Sequence, residues 1–350
     1  GCCIEMSVSL PQKTIKTVRS GLRYCVVPAA RLLTRFCARM PRLTTVFLLL
    51  SYSLVTAGQT TIARTNYSAA TLISPYYFGP NAFPVPEMLD GTTSHDLRIE
   101  LMANHYYGFK RDHTTDFTFR VTIPLFTRYV NLTVWMPFVE WYSNTAARLS
   151  ECRLTELAST DTKARKGVTS GDVYFSTDIH VLRQKKYLPD IAIRAALKTA
   201  SGNDYQYARY YDSPGYFFDA TFGKSWSFGA EKSHDLRVAA SAGFLCWQTD
   251  NGKQNDAVMY GVMLRLRMRA LSITETFRGY SGWENTCGEN GEIARDRPMV
   301  LKTQLGYRVK QWEFQASYQY GVRDYPFHQF QIGASYRINI LDLTKKKREE

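Results

Sequence analysis

The chain has 350 residues, a formal net charge of +13, 45% hydrophobic and 14% aromatic residues, which allows one large domain or two and excludes disorder and collagen. No stretch reaches the roughly 18 to 20 consecutive apolar residues that a membrane-spanning helix needs. The nearest is the patch around Val46 to Leu50, so a helical membrane protein is excluded, whereas a membrane strand carries no such signal.

The positive charge is concentrated at one end. Residues 1–58 hold eight Lys or Arg against the single acid Glu5, a surplus of +7, which leaves +6 for everything after Gly58. No basic run follows until Lys345–Arg348, so nucleic acid is not an expected partner. Met40-Pro41-Arg42 is a short charged start, Leu43–Val55 an apolar stretch and Thr56-Ala57-Gly58 a small-residue end, the pattern of a secretory signal over 40–58 cut before Gln59. Residues 1–39 contain no fold pattern and read as upstream sequence outside the working protein. They hold four of the seven cysteines, leaving Cys152, Cys246 and Cys287 in the exported chain. There is no CxxC pair and no Cys/His cluster at metal-ligand spacing, so no metal or other cofactor is expected.

Residues 59–93 form a Pro- and Gly-rich lead-in whose prolines Pro75, Pro80, Pro84 and Pro86 prevent helix and disfavour strand pairing. Its aromatics Tyr76, Tyr77, Phe78 and Phe83 want burial, so the segment is expected at the periplasmic mouth of the fold or inside it as a plug. After His95 the chain turns to period-two alternation. From Leu236 one face reads Leu236, Val238, Ala240, Ala242, Phe244, Cys246; from Val258 one reads Val258, Tyr260, Val262, Leu264, Leu266, Met268 against Arg265, Arg267 and Arg269. Twelve such strands are predicted, over 94–109, 114–125, 129–143, 171–183, 188–200, 213–228, 232–249, 256–267, 270–282, 298–310, 311–322 and 326–340. The weak ones are the second, with Pro124 near its end, and the ninth, where Glu275 shares a face with Leu271, Ile273 and Phe277.

Alternation alone does not say whether the apolar face meets a core or lipid. Connection lengths do: the odd connections include the long ones (144–170, 201–212, 249–255, 283–297), while the even ones are mostly tight. That asymmetry is the pattern of an outer-membrane barrel with long extracellular loops and short periplasmic turns. Trp141, Tyr142, Trp226, Trp247, Tyr260, Trp283, Trp312 and Tyr320 fall near strand ends, where interfacial aromatics gather. The expected fold is therefore all-β: a transmembrane antiparallel up-and-down β-barrel over 94–341, with a charged tail at 342–350, in the bacterial outer membrane. Twelve strands must close, because an open edge in hydrocarbon leaves backbone groups unpaired. The lumen is then wider than that of an eight-stranded barrel and narrower than that of a sixteen-stranded porin.

The run from Ser170 to Trp226 resembles an exported β-barrel family, the transporters of the MetA pathway of phenol degradation. The matching positions are Gly171, Asp172, Pro189, Ala192, Lys198, Gly202, Pro214, Gly215, Gly223 and Lys224. The lead-in FGPNAFPVPEM is similar to Bacteroidetes-type members. The resemblance implies an outer-membrane transporter and carries no substrate. This chain departs from bacterial barrels in ending on Lys and Glu rather than a terminal aromatic.

Enzyme signatures are absent. Gly223-Lys224-Ser225 ends like a phosphate loop, but the upstream Gly would fall at Phe218. A lipase-like barrel needs His and Ser two apart on one strand face, and none of the six His has Ser two residues later. The chain is not expected to be an enzyme. By parity, Arg194, Lys198, Arg237, Arg265, Arg267, Lys302, Arg308 and Arg337 point into the lumen against Glu100, Asp178, Asp219 and Glu313. Two readings stay open: an anion-favouring passage for small solutes, or charges that pair across a closed lumen. The closed barrel would then serve as a scaffold or surface-interaction protein through its loops. Cys152 and Cys287 fall in long loops at one end, where an oxidising location lets them pair if their Cα atoms approach within roughly 7 Å.

Overall fold

The computed structural model describes residues 74–125, 129–229, 233–248, 257–282 and 297–339. These belong to one compact unit, Ala63–Glu350. The expected signal segment (40–58), the residues before it, the charged tail, Trp283 and Cys287 lie outside the described residues. Thirteen strands follow in chain order: β1 (Leu97–Gly108), β2 (His113–Pro124), β3 (Val130–Ser143), β4 (Lys166–Thr169), β5 (Tyr174–Leu182), β6 (Asp190–Lys198), β7 (Gly215–Phe228), β8 (His234–Cys246), β9 (Ala257–Met268), β10 (Leu271–Gly282), β11 (Met299–Val309), β12 (Trp312–Arg323) and β13 (Phe327–Ile338).

Twelve of them close into an antiparallel barrel. Each pairs with its chain neighbour, β3 pairs with β5, and β1 meets β13 from Leu97↔Ile338 to Gly108↔Phe327. The twelve predicted strands coincide with β1–β3 and β5–β13 to within three residues at either end. Closure leaves the wall without a free edge, which is the condition for strands to stand in hydrocarbon.

The addition is β4, which pairs with the last four residues of β3 while β5 pairs with its first six. The ladder of β3 is interrupted between them. Pro137 has no N–H to donate, Phe138 is bulged out of the β2 register, and the Pro137 carbonyl accepts from Gly171 instead. The wall is thereby continued at the loop end by a separate four-residue segment.

Alternation sorts the side chains as a membrane requires. On β6, Asp190, Ala192, Arg194, Ala196 and Lys198 are buried inside the barrel, while Ile193 and Leu197 face outward. The outward set continues around the wall with Ile99, Leu101, Phe119, Phe218, Phe222, Val238, Val262, Leu264, Leu305, Phe330 and Ile332, all exposed. In water so continuous an apolar belt would be an aggregation surface; in lipid it is the favourable solvent contact. Protein beginning at Gln59 is therefore expected to fold only in detergent or lipid and to migrate faster unheated than boiled on a gel. A monodisperse protein in plain buffer would overturn the membrane assignment.

The two ends differ. Arg269–Ala270 and Lys310–Gln311 make two-residue hairpins, with Arg269 (φ 55°) and Lys310 (φ 53°) in the left-handed region that tight turns use. At the opposite end, 144–173 folds rather than loops freely. Its helix α1 (Ala146–Glu151) is capped by the Thr145 hydroxyl, which accepts from the Arg148 amide. Helix α2 (Leu157–Thr160) follows, and Leu149, Cys152, Leu154, Ala158 and Ala164 are buried with Tyr207, Ala208 and Tyr211 of the 199–214 connection. Two long connections thus pack down into the mouth.

Two of the expected interfacial aromatics point the other way. Trp141, Trp226, Trp312 and Tyr320 are exposed on the outward face, but Tyr142 and Trp247 are buried. The reason is the pleat: neighbours on a strand cannot both face out, so Trp141 outward sends Tyr142 inward, and Trp247 follows the inward parity of Ala239 and Leu245. Cys246 is unbridged, but it is buried rather than open to lipid, with Tyr216 directly opposite it in register.

Candidate functional site: the barrel interior

Residues 74–93 run down the inside of the barrel from the loop end to the turn end, where the chain enters β1. Proline keeps this segment from laddering, so its backbone carbonyls must find side-chain donors. At the loop end Arg148 donates to the carbonyls of Tyr76 (3.0 Å) and Phe78 (2.9 Å), and the Tyr76 hydroxyl donates to Glu151 (2.9 Å). Further in, the hydroxyls of Tyr325 and Tyr280 donate to the carbonyls of Pro80 (3.3 Å) and Phe83 (3.2 Å). Phe78 and Phe83 stack edge-on at 5.2 Å between centroids and pack on Tyr211, within a buried aromatic cluster that includes Phe217, Trp247, Tyr280 and Phe327.

Below the aromatics, two carboxylates of the segment meet cations of the wall. Glu87 contacts Arg120 of β2 at 2.8 Å and Lys302 of β11 at 3.2 Å. Asp90 contacts Arg265 of β9 at 2.8 Å, and its carbonyl accepts from Arg237 of β8 at 2.7 Å. Gly223 makes that approach possible, since a Cβ there would lie 2.7 Å from the Asp90 carbonyl oxygen and 2.4 Å from the Arg237 guanidinium.

The eight cations singled out from the sequence are each found in an ion pair. Arg194 contacts Asp219 at 2.7 Å and lies over the Phe217 ring; Lys198 contacts Asp172 at 2.8 Å and donates to the Ser213 carbonyl. Arg237 contacts Asp190 at 3.0 Å, besides its bond to Asp90; Arg265 and Lys302 hold the internal segment. Arg267 and Arg308 are more exposed, at 3.6 Å from Asp235 and 3.5 Å from Glu313, and Arg337 also pairs with Glu313. Of the four acids set against them, Asp219 and Glu313 are partners of these cations, while Glu100 pairs with Arg98 and Asp178 accepts from Ser176.

Other charged groups inside the barrel escaped the sequence reading. Glu140 of β3 is fully buried and accepts from Arg209 (2.6 Å), the Tyr210 hydroxyl (2.9 Å) and Asn81 of the internal segment (2.8 Å). Asp116, Asn104, Gln329 and Gln331 form a hydrogen-bonded row across β2, β1 and β13. Arg278 of β10 is buried and donates to the neutral amide oxygen of Gln319 at 2.7 Å. Strand parity could have found Arg120 and Arg278; nothing periodic marks Glu87 or Asp90.

On the outward face, His105 Nδ1 lies 2.8 Å from the Thr115 hydroxyl, its register partner on β2. A same-strand spacing rule misses such a cross-strand pair. The other ring nitrogen faces His113 at 3.5 Å, not a carboxylate, so the acid that orients a catalytic imidazole is not supplied there. Among the described residues no group of three or more His, Cys, Asp or Glu is arranged to hold a metal ion.

Cys152 is buried beneath the internal segment, its Sγ 3.1 Å from the Tyr77 carbonyl oxygen, and burial pushes its thiol above the usual range; Cys287 lies outside the described residues. A thiol so placed is slow to react. Alkylation of folded protein is expected to spare Cys152 and Cys246. Mapping after unfolding without reduction then decides the loop bridge: modification of both Cys152 and Cys287 excludes it.

No family model matches the chain, and a search of curated proteins finds no match. Among solved structures it is similar to an outer membrane channel from Pseudomonas putida F1, at 11% identity and a TM-score of 0.48, covering 74% of this chain and 97% of that one. It is also similar to the NanC porin (8% identity, TM-score 0.44, 69% and 100% covered). A third is the KdgM porin in complex with disordered oligogalacturonate (10% identity, TM-score 0.39, 68% and 98% covered).

Proposed function

We propose that the protein is a bacterial outer-membrane channel or transporter for small solutes, with an anion-favouring lumen, seen here in a closed state in which residues 74–93 act as a plug. The observation that carries this is the identity of what fills the barrel. A segment outside the wall occupies the interior, held by side-chain hydrogen bonds and ion pairs that can be exchanged without breaking a strand ladder. Removal of the segment would leave Arg120, Lys302 and Arg265 without those partners, facing an aqueous path. The resemblance of 170–226 to transporters of the MetA pathway agrees with this reading and supports the same class of role.

A scaffold or surface-interaction role is the second reading. It is favoured by the paired state of all eight predicted cations and by the two long connections packed into the mouth. Planar-bilayer recording separates the two. The channel reading expects resolved conductance steps with anion preference, and a barrel that inserts yet never conducts supports the scaffold. Replacing Arg265 and Arg267 by Ser leaves Asp90 and Asp235 without those cations and should shift ion preference toward cations with the barrel still folded. Lost insertion with unchanged selectivity would make these arginines structural.

A further inference from the structure

We propose that Arg120, Arg278 and Lys302 form a binding site inside the barrel for a solute carrying more than one carboxylate, and that Glu87 of the internal segment occupies this site in the present state. The inference deepens the anion-favouring channel reading and rests on it for the solute's route, though not for the site itself. Arg120 of β2 and Lys302 of β11 hold one carboxylate, and Arg278 of β10 is placed beside them, opposite Val300, two positions along β11 from Lys302. Glu87 pairs with Arg120 and Lys302 directly and lies in the field of Arg278 as well.

The charges do not balance. Glu87 supplies one negative charge to three positive ones; Arg120 has Glu100 and Asp178 in its wider surroundings, whereas among the described residues Arg278 bonds only a neutral amide oxygen. The Nε groups of Arg278 and Arg120 are buried donors with no acceptor among the described residues. Buried guanidinium donors are normally satisfied, and Arg278 and Lys302 are buried, so this cluster is built for more anionic oxygen than Glu87 brings. Three residues further along the segment Asp90 engages Arg265, with Arg237 on its carbonyl. The segment thus presents two carboxylates to two cationic stations of the wall, as a polycarboxylate guest would.

Titration calorimetry on the folded full-length exported protein in detergent, with citrate as the probe and inorganic phosphate as the comparison, tests this. Glu87 competes with the guest, so Glu87→Gln should tighten citrate binding by about tenfold or more. Lys302→Met alone should abolish binding, and combining it with Glu87→Gln should cancel the gain. Unchanged citrate affinity in Glu87→Gln, or binding that survives Lys302→Met, in protein that keeps its unheated gel mobility, overturns the site. Phosphate binding as tightly as citrate overturns the carboxylate assignment. Because calorimetry requires no conduction, a protein silent in bilayers that still shows Glu87-dependent citrate binding would sink the channel reading and leave the site standing.

Discussion

Deletion of residues 59–93 is expected to raise conductance by about an order of magnitude, from the closed level to that of an open tube of this strand number. Between Tyr76 and Asp90 the segment runs through the interior from the mouth to the turn end, first with Phe78 and Phe83 among the buried aromatics and then with two ion-paired carboxylates. The wall itself is completed by strand ladders that do not include the segment. Deletion therefore removes the obstruction while every wall strand keeps both neighbours. It also strips Glu87 and Asp90 from Arg120, Lys302 and Arg265, cations that water entering the lumen can then hydrate, so the enlarged conductance should favour anions more strongly than before. Bilayer recording with a salt gradient reads both effects. Unchanged conductance would place the barrier elsewhere, and the packed 144–173 and 199–214 connections are the next candidates. Loss of the unheated gel mobility would show instead that the segment is a structural part of the barrel.

The wall was legible in the sequence because its chemistry is periodic. Leu236, Val238 and Ala240 against Arg237, Ala239 and Ser241 state both strand and orientation, since one face must meet lipid and the other must not. β4 was not legible. Four residues, Lys166–Thr169, are too few to show a period, and they pair with β3 beyond a bulge at Phe138, some thirty positions earlier. Parity also settled Trp247, whose own strand pattern placed it inward; proximity to a strand end was the weaker guide.

The interior was only half legible for the same physical reason. Arg194, Lys198 and Lys302 announce their direction through strand alternation, but which acid each one meets depends on closure and register. The internal segment has no register at all. Glu87 meets Arg120 and Lys302, and Asp90 meets Arg265, across sequence separations that no local pattern encodes. What the sequence did supply was a need: four prolines that forbid a ladder beside four aromatics that require burial, a combination that a closed barrel can satisfy by enclosing the segment.

Replacing Arg209 by Ala should be the most destabilising single change at the mouth, by about 3–5 kcal/mol, the range for removing one partner of a buried ion pair. Arg209, on the 199–214 connection, reaches Glu140 with both Nε (2.9 Å) and Nη2 (2.6 Å), donates to the Thr114 hydroxyl (2.9 Å) and lies over the Tyr142 ring. Glu140 has no exposure to solvent, so without the guanidinium it keeps, among the described residues, the neutral donors Tyr210 and Asn81 and becomes a buried charge lacking its counter-charge. The internal segment shares the loss, since Gly79 backs directly onto the Arg209 guanidinium. Equilibrium urea unfolding in lipid vesicles, read by gel mobility, measures the change. The companion substitution Glu140→Gln in the Arg209→Ala background should recover a good part of the loss, because it removes the stranded charge while keeping an acceptor for Tyr210. A loss below about 1 kcal/mol for Arg209→Ala, the level of an exposed pair, would mean that water reaches Glu140 and that the mouth is open rather than packed.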